Sequence, residues 1–425
     1  MKTRRDCLRG AIVGASSWWA VPTFLNTTTY RLQAQPLHGD EDRILILIDL
    51  DGGNDGLNMV VPYTNDRYYR ERETIAIRPG QVLPLDDNQG LHPSLTAIRT
   101  EFDEGTCAVM NNVGYPNANR SHFRSGATWH SGAHRAEDLD EDALRQGTGW
   151  LGRFADLSSP GSPLTGLYSG DRSPLALKGQ LGSAVSISTV DQYPFGLLAL
   201  QKNRLEDPIF RTLQGGSERS DHPSASPADF LRRSAAETFL ATERMREQME
   251  VAVDRKGDYP DTGLGKQMAE VSSLVLSGAA TRIYYTRIGG FDTHGGQLDR
   301  HTELFSEING ALEAFITDMR ETGNWDRTVI MTFSEFGRQV RENSNAGTDH
   351  GSALPMFILG GKVKGGIYGK APCLEPGVGI TEFGGVQFET DFRDVYATIL
   401  KSHLRADPGD ILGRAYADLA FLQQP

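Results

Sequence analysis

The sequence predicts an α/β fold: a mainly parallel central sheet flanked by helices, with an inserted helical or loop cap over residues 125–280. Three observations carry this. Arg43-Ile44-Leu45-Ile46-Leu47-Ile48 is an unbroken, β-branched, apolar run, the pattern of a strand buried on both faces. Later runs of the same kind alternate with helix-like segments, the order expected of βαβ units. Each run also gives way to a loop rich in Gly and polar residues, in a chain with 47 glycines, so the tight turns fall where strands end. At 425 residues the chain has room for one large α/β domain or two ordinary ones. No repeat recurs at a solenoid or propeller period.

The first segment reads as an export signal, residues 1–34. Arg4-Arg5 precedes the uncharged stretch Gly10 to Leu25, a basic region and then an apolar one, in the manner of a twin-arginine signal. The apolar stretch is shorter than the roughly 20 residues of a membrane span. Leu32-Gln33-Ala34 offers a cleavage site. The chain is then expected to work as a periplasmic or secreted protein over residues 35–425, with the twin-arginine machinery as its export partner and no transmembrane span in the mature part. Cys107 and Cys373 remain beyond the signal, enough for one disulfide but not for a disulfide scaffold. Lys and Arg number 43 against 55 Asp and Glu, a net charge of −12; with no basic cluster in the body of the chain, this argues against a nucleic-acid partner.

Beyond the signal the elements follow in order. The strand from Arg43 to Ile48 ends in Asp49-Leu50-Asp51-Gly52-Gly53-Asn54-Asp55-Gly56. A second strand spans Cys107 to Asn112 and opens into the polar loop Gly114 to Ser121. Residues 125–220 read as loops, short strands and small helices. Ser226-Pro227 starts a long helix to Val253, with Ser able to cap and Pro tolerated at the first helical position. A helix over Leu264 to Gly278 precedes a strand over Thr281 to Ile288. An amphipathic helix follows from Leu304 to Thr322, then strands at Thr328 to Phe333 and Pro355 to Gly360.

Five loops carry residues suited to chemistry, and each admits a plainer reading. Gly289-Gly290-Phe291-Asp292-Thr293-His294-Gly295-Gly296 sets a carboxylate and an imidazole two residues apart, able to converge on one cation or to cap and hydrogen-bond. Ser334-Glu335-Phe336-Gly337-Arg338 offers a ligand or general base in Glu335 and an oxyanion fork in Arg338, or an ordinary ion pair. Gly347-Thr348-Asp349-His350-Gly351 holds a further Asp-His pair, or a turn Asp beside a solvent His. The first strand's exit holds Asp51 and Asp55, both placed to ligate a cation or to cap a helix. Asn119-Arg120-Ser121-His122-Phe123-Arg124 puts a Ser beside a His and two Arg at a helix start, a nucleophile and anion site or simply an N-cap. On a parallel sheet these loops share one edge.

Taken together, Gly-Gly-Asn-Asp-Gly-Leu-Asn, Arg-Ser-His-Phe, Gly-Gly-Phe-Asp-Thr-His, Ser-Glu-Phe-Gly-Arg and Gly-Thr-Asp-His-Gly resemble the DUF1501 family, from about residue 43 to 420. That family is similar to the alkaline phosphatase–sulfatase superfamily. The resemblance implies an alkaline-phosphatase-like sheet and one or two divalent metals (Zn, Mg, Mn or Ca). It also implies a small anionic ester as substrate, attacked by Ser121. It places Asp51, Asp292, His294 and His350 as metal ligands. Glu335 and Arg338 join Ser121 as catalytic residues, and Asn54, Asp55, Arg120, His122, Arg124 and Asp349 face the substrate. Where the superfamily commonly has an Asp-His pair, this chain has Ser334-Glu335. The expected function is an exported, metal-dependent hydrolase of phosphate or sulfate esters; the alternative is a non-catalytic exported binding or envelope protein on the same fold.

Overall fold

The computed structural model describes residues 43–158, 166–169, 173–180, 185–187, 254–279 and 281–423. The expected signal segment and the expected helix from Pro227 to Val253 lie outside the described residues. The sheet strands, in chain order, are β1 (Ile44–Asp51), β2 (Cys107–Gly114), β3 (Gly166–Ser169), β4 (Val185–Ile187), β5 (Ile283–Gly289) and β6 (Thr328–Phe333). A hairpin of β7 (Arg338–Glu342) and β8 (Thr348–His350) follows, and then β9 (Leu354–Leu359), β10 (Gly366–Tyr368) and β11 (Thr390–Asp391). The central sheet has nine strands in the order β10-β2-β9-β6-β1-β5-β3-β4, with β11 also pairing β2.

β1 lies at the middle, parallel to β5 on one side and β6 on the other. Its alternation explains why the run from Ile44 to Ile48 shows no polar positions. Ile44, Ile46, Ile48 and Leu50 enter one core, while Leu45 and Leu47 enter the other. The first core packs beneath α1 (Gly263–Leu276) and α2 (Gln297–Glu321) through Met268, Leu304, Phe305 and Phe315. The second packs beneath α3 (His122–Ser131) and α4 (Phe392–Thr398) through Trp129 and Tyr396. Truncating Ile46, which is fully buried, to Ala would cost about 2–5 kcal/mol.

The sheet is mixed rather than wholly parallel. β9 runs antiparallel to both β2 and β6, whereas the other described pairings in this sheet are parallel. The reversal matters for the site. Loops leaving β1, β5 and β6 emerge at one edge, and the loop entering an antiparallel β9 must start from that same edge. The sequence expectation of a shared edge thus holds for the His350 loop by a different route. The long helix begins at Gln297 rather than Leu304, so it starts directly after the Asp292–Gly296 loop. Within residues 125–280 the described part includes the helices Glu141–Gln146 and Trp150–Ser158, an inserted helical region beside the sheet. β3 and β4, in the same span, extend the sheet itself. Cys107 is buried and Cys373 exposed, and both are free thiols.

Candidate metal centre

The loop after β1 is bent by Gly52 and Gly53, whose φ angles of +119° and +75° favour glycine. The bend brings backbone against the loop after β5: a Cβ on Gly52 would stand 2.5 Å from the Asp292 nitrogen. The loop after β6 closes from the other side. Gly52 N donates to both Glu335 carboxylate oxygens at 3.1 and 3.3 Å, and Asn54 N donates to Ser334 Oγ at 3.0 Å. Arg338 lies beneath all three loops, 1% exposed. Its guanidinium donates to the carbonyls of Gly52, Gly53, Phe291 and Thr348 and to Asp292 Oδ1 at 2.6 Å. A planar fork of donors suits such a junction better than an ammonium would.

Asp292 is the hub. Its Oδ1 lies 3.1 Å from His294 Nε2 and 3.1 Å from His350 Nε2, and those two nitrogens are 3.0 Å apart. His122 approaches from the first turn of α3, with Nε2 3.5 Å from Asp292 Oδ2. His122, Asp292 and His350 bring ligand-capable atoms within 4.8 Å of one another. The cluster is half-open: His122 and His350 are partly buried and Asp292 is exposed.

The far nitrogen of each ring is tied off. His350 Nδ1 faces the Arg120 carbonyl at 2.9 Å; a carbonyl only accepts, so Nδ1 must donate and Nε2 keeps its lone pair. His294 Nδ1 faces Asp349 Oδ1 at 2.9 Å and His122 Nδ1 faces Glu335 Oε1 at 2.6 Å. With Nδ1 donating in each ring, the Nε2 lone pairs of His294 and His350 and the Asp292 carboxylate lie within 3.0–3.1 Å of one another. Such an arrangement repels itself unless protons or a cation intervene, and outer carboxylates and carbonyls on Nδ1 are the usual support of metal-ligating histidines. The donor set therefore fits a divalent cation.

The electrostatics match. Burial works to lift the Asp292 carboxyl, but the hydrogen bond from Arg338 and the nearby positive charge bring it down to about 2. Burial likewise works to lift Glu335, and its hydrogen bond from His122 prevails and holds it below the ordinary range. That bond to Glu335 raises His122, while burial lowers His350.

Other residues singled out in the sequence are not among these close donors. The Asp51 carboxylate pairs with the Arg287 guanidinium, which also lies 3.5 Å from Asp49. Asp55 is buried in a two-pronged ion pair with Arg72 and caps the turn at Leu57. Asn54 is buried, its amide on Met59 Sδ. Arg124 donates to the Glu137 carbonyl at 3.3 Å. Arg120 stacks over the Phe383 ring at 4.1 Å. Ser121 is the N-cap of α3, yet its hydroxyl makes no capping bond. Sequence reasoning grouped His122 with the substrate contacts; the structure brings it within 4.8 Å of the ligand-capable atoms of Asp292 and His350. The signal available was its position at the first helical residue, where a ring can reach back over the loop.

Among curated proteins none matches the chain. Among solved structures it is similar to the lipoteichoic acid synthase LtaP from Listeria monocytogenes, at 8% identity over 92% of this chain and 78% of that one, TM-score 0.39. It is similar to the PsFucS1 sulfatase from Pseudoalteromonas sp., at 10% identity over 95% and 77%, TM-score 0.37. A protein in the alkaline phosphatase superfamily from Vibrio parahaemolyticus follows, at 11% identity over 90% and 72%, TM-score 0.35. The family described as "Protein of unknown function (DUF1501)" matches residues 42–410, and the chain belongs to that family.

Proposed function

From a DUF1501 chain with this cluster at its sheet edge, we propose an exported hydrolase of phosphate or sulfate esters that depends on a divalent metal. The observation that carries the reading is the convergence of Asp292, His294 and His350 within 3.0–3.1 Å of one another, each imidazole with its other nitrogen tied to an oxygen acceptor. A divalent cation held there would polarise an ester oxygen and favour the ionised form of a nearby hydroxyl.

The chain's own residues take the remaining tasks. Arg338 holds Asp292 and the three loops in place and acts through them. Ser121, whose hydroxyl makes no capping bond, is the nucleophile of this reading: its oxygen bonds to the phosphorus or sulfur, the ester oxygen leaves with a proton, and water releases the acid. The Arg120 guanidinium and the amino end of α3 supply positive charge for the anion. Asp51 is neutralised by Arg287, which supports a centre with a single cation. The mature domain of this reading is residues 35–425, delivered by the twin-arginine route to the periplasm or beyond. Among the described residues no helix is long and apolar enough to cross a membrane.

The test is metal analysis by mass spectrometry on protein purified after native export, with an Asp292→Ala, His294→Ala variant beside wild type. The expected result is about one cation per wild-type chain and a near-empty variant. Phosphate and sulfate monoesters are then screened, and Ser121→Ala should lower turnover by about a thousandfold or more. Turnover unchanged in Ser121→Ala would remove the serine from the mechanism; no cation in wild type would remove the hydrolase reading.

A further inference from the structure

His122 and Glu335 make a unit that the three-donor centre does not require. Glu335 is 4% exposed, unusual for a glutamate without a partner to satisfy it. Its Oε1 receives His122 Nδ1 at 2.6 Å. Its oxygens also accept from Gly52 N and from Ser334 Oγ, the latter at 3.0 Å. The carboxylate is therefore held by a backbone amide and a serine hydroxyl before the imidazole reaches it. Phe336 and His350 hold the ring in place, with centroids 4.9 and 4.4 Å away. What this leaves is His122 Nε2, a buried nitrogen with no hydrogen-bond partner among the described residues. It lies 3.5 Å from the Asp292 oxygen that His294 and His350 do not use.

Resting on the reading of the centre given above, we infer that His122 Nε2 is a fourth protein donor to the cation and that Glu335 is the positioning residue that aims it. The set is then three imidazoles and one carboxylate, each ring with its own outer acceptor: Glu335 for His122, Asp349 for His294 and the Arg120 carbonyl for His350. Donors of that kind select zinc-class ions such as Zn²⁺ or Co²⁺. They disfavour Mg²⁺ and Ca²⁺, which prefer all-oxygen shells.

The experiment measures Zn²⁺ affinity of the mature protein by competition with a chromophoric chelator, and records the visible spectrum of the Co²⁺-loaded protein. Wild type is compared with His122→Ala, Glu335→Gln and the double variant, with thermal unfolding as a check on folding. His122→Asn serves in place of the alanine variant should that one not fold. Each single variant should weaken Zn²⁺ binding about 10–100-fold. Glu335→Gln should add nothing further in the His122→Ala background, because the glutamate acts through the ring. The intense Co²⁺ bands of a four-donor site should weaken in His122→Ala and persist in Glu335→Gln.

An unchanged affinity and Co²⁺ spectrum in His122→Ala, with binding still abolished by Asp292→Ala, would overturn the fourth donor and leave the three-donor centre standing. Additive losses in the double variant would overturn the positioning role. No Zn²⁺ or Co²⁺ bound by wild type would overturn the inference together with the centre it rests on.

Discussion

Gly52 shows how much one backbone position decides. Its φ of +119° lies where an L side chain is strained, and the space a Cβ needs is taken by the Asp292 amide. Its own N–H donates to Glu335 and its carbonyl accepts from Arg338. Gly52→Ala should therefore do two things at once. It should lower unfolding free energy by about 1–3 kcal/mol from backbone strain, and it should push the Asp292 loop away from the imidazoles. Denaturant melts read the first effect and Zn²⁺ affinity the second; an unchanged affinity would mean that the loop absorbs the methyl without moving Asp292. The sequence marks this glycine only as part of a Gly pair after a strand. Asp292, His294 and His350 were legible because each sits in a Gly-framed loop at a strand boundary. The destinations of Asp51 and Asp55 were not, because their partners, Arg287 and Arg72, lie outside any motif and are brought in by the fold.

At the scale of elements, the loop leaving β1 is anchored from both ends. Arg338 ties its start to the β5 and β8 loops, and Asp55 ties its end to Arg72. Arg72 is fully buried and spans Asp55, Asn58 and the carbonyls of Gln339 and Val340 on β7. Removing one partner of such a pair leaves a charge in the interior, so Arg72→Met should cost about 3–5 kcal/mol. Adding Asp55→Asn should recover part of that by removing the stranded charge, which chemical denaturation of both variants would check. A larger loss in the double variant would mean that the cap on Leu57 outweighs the ion pair. The strands themselves were readable: Thr328 to Phe333 is where the apolar run sits, and β1 and β2 merely run on into their loops. The direction of β9 was not readable, because a short apolar run says nothing about its sense. The hairpin β7–β8 that reverses the chain has too few residues to show a pattern. The early start of α2 was recoverable in principle, since Gln297, His301, Leu304 and Phe305 are buried at helical spacing, but two of them are polar.

Over the whole molecule, buried ionisable groups set how the fold answers to pH. His92, His301 and His403 are at most 2% exposed, and burial lowers them to about 4, 3 and 3. His403 Nε2 donates to the Ile44 carbonyl at 2.9 Å, so the neutral ring is the form the core holds. Between pH 4 and the unfolded value near 6.5, the unfolded chain binds a proton at each of these rings and the folded chain does not. Stability from them is complete above about 6.5 and is lost as pH falls towards 4. Asp49 works against them. Burial lifts its carboxyl to about 8, so in the same window the folded chain holds a proton that the unfolded chain has released, and this term weakens stability as pH rises. Burial also lowers His130 to about 4 and lifts the Glu101 and Asp394 carboxyls; four rings against three carboxyls leave acidification destabilising. The Asp292 and Glu335 carboxyls, both lowered, extend the loss below pH 4. The urea midpoint should accordingly fall steadily from pH 6.5 to 4. His403→Asn, which keeps a side-chain N–H for the Ile44 carbonyl but cannot titrate there, should flatten that slope by about one proton. A slope identical to wild type would place the acid sensitivity in the other buried rings, His92, His130 and His301, instead.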